Sequence, residues 1–219
     1  MMLPVVIDLA GRPVTVVGAG TVGARKVAQL LEVGAVVTVI AETVRRPLPS
    51  GVALLRRRRY QSGDLAGAFL VVAATGDHDV DDAIVAEAAA RGQLLNVVDD
   101  ATRSSFYFTA LHRDGDVVVS VSTSGSSPAL ASWIRDRIAA SLPSGLGVVA
   151  QRLSTARAAY HAAGVSTESL AWRDWIDAWV DDAQWVVRGP SLDDRHHDEG
   201  PRAGSPATTT GPGESSAVV

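Results

Sequence analysis

The chain has 219 residues, 47% of them hydrophobic and 20% charged, and a formal net charge of −4. That length can bury a sizeable core in one large domain or in a domain with additions, and the composition is that of a folded chain. The negative balance leaves no general nucleic-acid footprint. The absence of cysteine excludes disulfides, thiolate zinc sites, cysteine nucleophiles and cysteine-held iron–sulfur clusters.

Any redox chemistry therefore needs a borrowed cofactor. The start Met1-Met2-Leu3-Pro4-Val5-Val6-Ile7-Asp8 lacks the basic region and long apolar core of a signal peptide. With no apolar run long enough to span a bilayer, no membrane association is expected, and the expected location is the cytoplasm.

Leu3 to Leu9 reads as a short extended segment closed by Gly11, and Pro13 opens a strand over Val14 to Val17. Gly18-Ala19-Gly20-Thr21-Val22-Gly23 follows as G-x-G-x-x-G, placed where a strand must turn tightly into a helix. Gly18 makes the turn, Gly20 lets a pyrophosphate approach the backbone, and Gly23 lets the helix pack close on the strand. The helix from Val22 to Glu32 aims its free N–H groups and positive dipole end at the phosphates. Val36 to Ala41 completes a β-α-β unit as a nearly continuous apolar strand, the mark of a parallel sheet buried on both faces.

In a standard NAD fold an acidic residue at the end of this second strand binds the ribose hydroxyls. Here the first acid is Glu42. Arg45 and Arg46 lie just beyond it, where they would suit a 2′-phosphate, so NAD is preferred and NADP stays open. Val52 to Leu55 begins a third strand that runs into Arg56-Arg57-Arg58-Arg59, which reads as a solvated strand end. Ala68 to Ala74 is an apolar strand whose end presents Thr75 and Gly76 to the crevice. The cofactor candidates are Gly18, Gly20, Thr21, Val22, Gly23, Glu42, Thr43 and Thr75.

Asp77-His78-Asp79-Val80-Asp81-Asp82 has the look of a metal cluster, but it reads better as a helix start with Asp79 as the cap and Asp81 and Asp82 favouring the positive end. Gly92 stops that helix. The strand Leu94 to Val98 delivers Asn96, Asp99 and Asp100 to the crevice edge. Phe106 to His112 is apolar and aromatic, Asp114-Gly115-Asp116 is a hairpin turn, and Val117 to Val121 is a strand. After Ser122-Thr123-Ser124-Gly125-Ser126, Ser127 caps a helix with Pro128 at its first position and Leu130, Ile134 and Ile138 on one face.

Pro143-Ser144-Gly145 breaks the chain, and Val148 to Tyr160 and Ser169 to Val187 read as helices. Trp172, Trp175 and Trp179 form a stripe on the second that reads as packing against a neighbour. From Gly189 the chain is rich in Gly, Pro, Ser and Thr and reads as a disordered tail, in which His196-His197 is a weak metal ligand at best. The fold class is α/β: a Rossmann-type parallel sheet, a small α+β dimerisation element and a C-terminal helical segment. The expected bounds are 1–112, 113–145, 146–188 and a tail over 189–219.

Several stretches, taken together and in order, resemble the precorrin-2 dehydrogenase family of sirohaem biosynthesis, which also forms the N-terminal module of sirohaem synthases. They are Leu3-Pro4, Val16-Val17-Gly18-Ala19-Gly20 with Ala24-Arg25-Lys26, Leu30-Leu31-Glu32-Val33-Gly34-Ala35, Leu70-Val71-Val72-Ala73-Ala74-Thr75, Asn96-Val97-Val98-Asp99, Ser105-Phe106, and Ser122 through Ala131. The likeness covers residues 3 to about 145. It implies NAD-dependent removal of a hydride and a proton from precorrin-2, with Asp99 matching the family's essential aspartate as general base and Asp100 as the local rival.

The substrate is a flat macrocycle with many carboxylates, which wants Arg forks, helix N-termini and hydroxyl donors. The substrate candidates are Asn96, Arg103, Ser122, Thr123, Ser124, Ser126 and Ser127, with Arg113 beside them. The resemblance also implies a homodimer. Some relatives insert ferrous iron or cobalt into the product, which makes Fe2+ or Co2+ a candidate second substrate. The sequence has no dedicated metal cage, because His78, His112 and His161 sit at unrelated points.

Two rival readings stand beside this one. A non-catalytic NAD(H) sensor explains Gly18 to Gly23 and the Trp-bearing helix but gives no reason for Asp99 with the serine loop. A dehydrogenase of small metabolites calls for a larger substrate domain and a Lys, His or Tyr at the crevice, whereas the single Lys, Lys26, lies in the first helix.

Overall fold

A computed structural model describes residues 3–168 and 170–181. The elements run β1 (Pro13–Ala19), α1 (Thr21–Glu32), β2 (Val36–Val44), β3 (Leu54–Arg56), β4 (Leu70–Ala73), α2 (His78–Ala90), β5 (Leu94–Val97), β6 (Ala110–Asp114), β7 (Val117–Val121), α3 (Pro128–Ser141), α4 (Leu146–Ala162) and α5 (Trp172–Asp181). The proposed tail, His196-His197 and the end of the last helix to Val187 lie outside the described residues.

β1 to β5 form one parallel sheet in the order β3-β2-β1-β4-β5. Strand side chains alternate in direction, so a sheet covered on both faces needs apolar residues at every position. Val14, Val16, Leu70 and Val72 pack with Val27 and Leu30 of α1 on one face. Val17, Val71, Ala73 and Val97 pack with Ile84 and Ala88 of α2 and with Leu65 on the other. The chain order reverses direction between β1 and β4, which opens a crevice beyond their carboxyl ends.

β2 runs three residues past the expected Ala41, through Glu42, Thr43 and Val44, because an irregularity after Val17 lets Ala19 pair with Val44. The helix cap is Asp77 and not Asp79. The Asp77 carboxylate accepts from the N–H groups of Asp79 and Val80, and Asp79 lies in the first turn.

The chain between β3 and β4 is a run of turns with Leu65 fully buried, and Asp64 anchors it. The Asp64 carboxylate accepts from Arg56 at 2.6 Å, from both Nη atoms of Arg58 at 2.6 Å, and from the Gln61 N–H at 2.9 Å. Its side chain is 5% exposed. The Arg58 fork, with the Gln61 and Arg56 donors, outweighs desolvation and holds the carboxyl at about 2 against an ordinary 3.8. The charged form therefore favours folding above pH ~4, and this contribution fades as pH falls through the interval toward 2. Asp64→Asn is expected to cost about 2 kcal/mol at neutral pH and to flatten the loss of stability between pH ~4 and ~2. Urea melts across that range measure both effects.

The first compact unit comprises the chain up to Ala110 together with Val121–Trp133. The second comprises Leu111–Ser120 and the described residues from Ile134 onward. This grouping differs from the expected 112/113 and 145/146 bounds for identifiable reasons. Within the first unit, an added Cβ on Gly125 would lie 3.0 Å from Ala101 Cβ and 3.9 Å from the Tyr107 ring, so residues 122–127 pack against the stretch after β5. Within the second, the Leu146 N–H donates to Asp114 at 2.8 Å and Gly115 abuts Gly147, which joins the hairpin to α4.

In α3, Leu130 is 48% exposed while Ala131 is buried, so Leu130 is not on the covered face. The tryptophan stripe packs as expected of a structural cluster. Trp175 meets Trp172 edge-to-face at 5.1 Å and Trp179 in a tilted contact at 5.9 Å, and reaches Tyr160 of α4 at 6.2 Å, while Trp172 Nε1 donates to the Thr167 carbonyl. Among the described residues no helix is long and apolar enough to cross a membrane.

Candidate active site

The crevice beyond β1 and β4 is a cleft of about 750 Å³. All eight cofactor candidates line it: Gly18, Gly20, Thr21, Val22, Gly23, Glu42, Thr43 and Thr75. Asp99, Asp100 and Arg103 line it as well.

The three fingerprint glycines are needed for different reasons. Gly18 has φ +99°, and a Cβ there would lie 2.1 Å from the Ala74 carbonyl oxygen. A Cβ on Gly23 would lie 2.2 Å from the Gly18 carbonyl oxygen. Both positions are dictated by the protein's own backbone. Gly20 has φ −71°, an ordinary value, and a Cβ there would meet nothing within 4 Å. Nothing in the protein requires glycine at that position, and the open space faces the cleft, as expected where a ligand approaches the backbone.

Two helices begin at this cleft and differ in charge. α1 starts at Gly20 with no side-chain cap and no acid in its first turn, so its leading N–H groups remain available to an anion. α2 is capped by Asp77 and carries Asp79 and Asp81 in its first turn, so its positive end is already compensated. Thr75 serves this second terminus: its hydroxyl donates to the buried Asp81 at 2.6 Å and accepts from the Asp77 N–H at 3.1 Å. A dinucleotide's phosphates therefore fit against α1.

At the end of β2, Glu42 is paired with Arg59 at 3.1 Å, and both are exposed. Arg45, Arg58, Arg59 and Tyr60 line the same cleft, so the arginine run is more than a solvated strand end. The signal for the arginine run is positional, because β3 runs parallel to β2, its one neighbour, so its carboxyl end faces the crevice. The single lysine does not line the cleft. Lys26 Nζ lies 3.6 Å from the centre of the Phe108 ring, and burial followed by the neighbouring Arg25 lowers its pKa to about 8.

Past β5 the two adjacent aspartates have opposite surroundings. Asp100 accepts from the Thr102 N–H at 3.0 Å, the Thr102 hydroxyl at 2.7 Å, the Arg103 N–H at 3.1 Å and Arg103 Nε at 2.6 Å. The Thr102 and Arg103 donors hold its carboxyl at about 2, which makes it a poor proton acceptor at neutral pH. Asp99 sits in the turn itself at φ +62°, exposed, with no side-chain hydrogen bond or ion pair among the described residues. Of the two carboxylates on this edge, Asp99 is the one free to take a proton.

Several substrate candidates are placed otherwise than the sequence suggests. Asn96 is buried and does not line the cleft, because its amide donates to the Phe106 carbonyl at 3.1 Å and approaches Ser104 Oγ at 3.5 Å. Arg103 lies on the cleft, but its fork is engaged by Asp100 and by Asp82, each at 2.6 Å. Ser122, Thr123, Ser124, Ser126 and Ser127 do not line the cleft and are largely tied to one another. The Thr123 hydroxyl bridges the Ser127 N–H and C=O, Ser122 Oγ accepts from the Ser124 N–H, and the Ser126 N–H donates to the Thr123 carbonyl. Ser127 caps α3 as expected, accepting from the Leu130 N–H at 3.2 Å. Among the described residues no three His, Asp or Glu side chains gather as a metal site.

Residues 5–110 match the family model described as putative NAD(P)-binding, and residues 114–141 match that described as sirohaem biosynthesis protein, central. The chain is 38% identical to a siroheme synthase of Photorhabdus laumondii, over 68% of this chain and 33% of that protein. It is 39% identical to siroheme synthase 1 of Serratia proteamaculans, over 68% and 32%. The chain thus matches about a third of the length of these curated relatives. Among solved structures it is similar to SirC, a precorrin-2 dehydrogenase, with a TM-score of 0.66 and 26% identity, covering 90% of this chain and 96% of that one. The chain thus carries an NAD(P)-binding half and a sirohaem-biosynthesis central segment in this order, and along nearly its whole length it is similar to a precorrin-2 dehydrogenase.

Proposed function

We propose that this protein oxidises precorrin-2 to sirohydrochlorin with NAD. The observation that carries the reading is that one cleft joins an uncapped helix start, bare at Gly20, to an aspartate with no side-chain partner among the described residues. When bound, NAD supplies the hydride acceptor. The N–H groups of Thr21, Val22 and Gly23 would hold its pyrophosphate, and Glu42 with Thr43 would suit the ribose hydroxyls.

The reaction removes two hydrogens from the macrocycle, one as hydride and one as a proton. Asp99 takes the proton, because it is exposed, lines the cleft and accepts no hydrogen bond from the described side chains. Asp100 stays charged and holds the turn. Insertion of ferrous iron or cobalt into the product, as a further activity of this chain, would use the macrocycle nitrogens as ligands and Asp99 as the acceptor of their protons. An NAD-consuming step of this kind suits the cytoplasm.

We assign the exposed apolar residues at the start of α3 to an interface with a second copy of the chain: Leu130 is 48% and Trp133 58% exposed. Leu130→Asp is expected to shift the wild-type dimer toward monomer in light scattering at micromolar concentration. A wild-type monomer under those conditions contradicts the assignment.

Titration with sirohydrochlorin, followed by the pigment's absorption, tests the substrate class. A saturable shift supports the tetrapyrrole reading. An unchanged spectrum, with NAD bound tightly, favours an NAD(H) sensor.

A further inference from the structure

Resting on the proposed role of Asp99, we infer that Arg103 is a positioning residue that clamps the Asp99 turn to the start of α2, rather than a ligand for a substrate carboxylate. Asp99 occupies a left-handed conformation at φ +62°, which aspartate tolerates but seldom adopts without local support. The next residue supplies that support. Asp100 closes a tight loop onto the Thr102 and Arg103 N–H groups and onto Arg103 Nε.

The rest of the Arg103 guanidinium points to another element. Nη1 reaches Asp82 at 2.6 Å, and Nη2 approaches His78 Nδ1 at 3.4 Å. His78 is the first residue of α2 and Asp82 lies one turn on. One side chain, 22% exposed, therefore connects the turn that carries the free carboxylate to the helix that borders the same cleft. Its planar fork meets two carboxylates at once, which a lysine cannot reproduce. A fork so engaged has little capacity left for a substrate carboxylate.

The test combines a structural readout with a kinetic one. In Arg103→Ala, hydrogen exchange in peptides covering residues 97–104 is expected to rise by at least about tenfold, while β1 and β4 keep their protection. Turnover of precorrin-2 is expected to fall by roughly 10- to 100-fold, with KM for NAD and for precorrin-2 within about threefold of wild type. Arg103→Lys should stay closer to Arg103→Ala than to wild type. Asp82→Asn, at a side chain 70% exposed, removes only the tether to α2 and should give a smaller loss in kcat. Arg103→Ala with Asp82→Asn should be no worse than Arg103→Ala alone, since both act through one link.

Unchanged exchange over residues 97–104 overturns the clamp whether or not the chain turns precorrin-2 over. A raised KM for precorrin-2 with kcat intact overturns it in favour of substrate binding. Full activity in Asp99→Asn, with the exchange result as expected, instead overturns the role of Asp99 and leaves the clamp standing.

Discussion

Asp99→Asn is expected to lower precorrin-2 oxidation by roughly 10²- to 10⁴-fold while leaving NAD affinity within about twofold of wild type. Asparagine has the size of aspartate and tolerates a positive φ, so the turn at φ +62° survives the change. The amide cannot accept the proton that the carboxylate takes. Because Asp99 makes no side-chain hydrogen bond or ion pair among the described residues, no network collapses with it. Asp100→Asn is the informative contrast. It removes a carboxylate that receives four hydrogen bonds from Thr102 and Arg103, and is expected to lower the melting temperature with a milder loss of turnover. Thermal melts beside steady-state rates separate the two: Asp99→Asn loses rate without stability, and Asp100→Asn loses stability more than rate.

The fingerprint glycines give the second large effect, and their alanine variants should divide by cause. Gly18→Ala drives a Cβ to 2.1 Å from the Ala74 carbonyl oxygen at φ +99°, and is expected to destabilise the fold by about 3 kcal/mol or more. Gly23→Ala meets the Gly18 carbonyl oxygen at 2.2 Å and should behave similarly. Gly20→Ala meets nothing and should melt within a few tenths of a kcal/mol of wild type. Its methyl group stands instead where a pyrophosphate approaches the backbone. Losing about 1–3 kcal/mol of hydrogen bonding there would weaken NAD by roughly 10- to 100-fold. Calorimetric titration with NAD, together with melts of all three variants, checks the division. An intact NAD affinity in Gly20→Ala would move the phosphates away from α1.

The same comparison indicates which features were legible in the sequence. The fingerprint was, because what each glycine does is decided by its immediate neighbours in a strand-turn-helix of fixed spacing. The sheet was legible because parallel strands covered on both faces read as unbroken apolar runs, as Leu70 to Ala73 does. The start of α2 is legible from its acidic residues, but the cap lies at Asp77, two residues before Asp79. A cap carboxylate accepts from the second and third helical N–H groups, and Asp77 does so with Asp79 and Val80.

Asn96 and Arg103 were not legible, because each is defined by a partner remote in sequence. Asn96 serves the Phe106 carbonyl ten residues on, and Arg103 serves Asp82 twenty-one residues back. Buried polar groups must find partners, and no local pattern says which partner that will be. Asp99 and Asp100 could not be ranked by local chemistry either, since they are identical neighbours. The fold distinguishes them by giving one all the donors and the other none among the described side chains.

The most direct test is an anaerobic incubation of the wild-type protein with precorrin-2 and NAD, with sirohydrochlorin and NADH followed in the same cuvette. Both are expected to appear together, one for one, at a rate proportional to enzyme. Tight NAD binding with neither product formed would contradict the proposed oxidation and make the cleft a site that senses the dinucleotide.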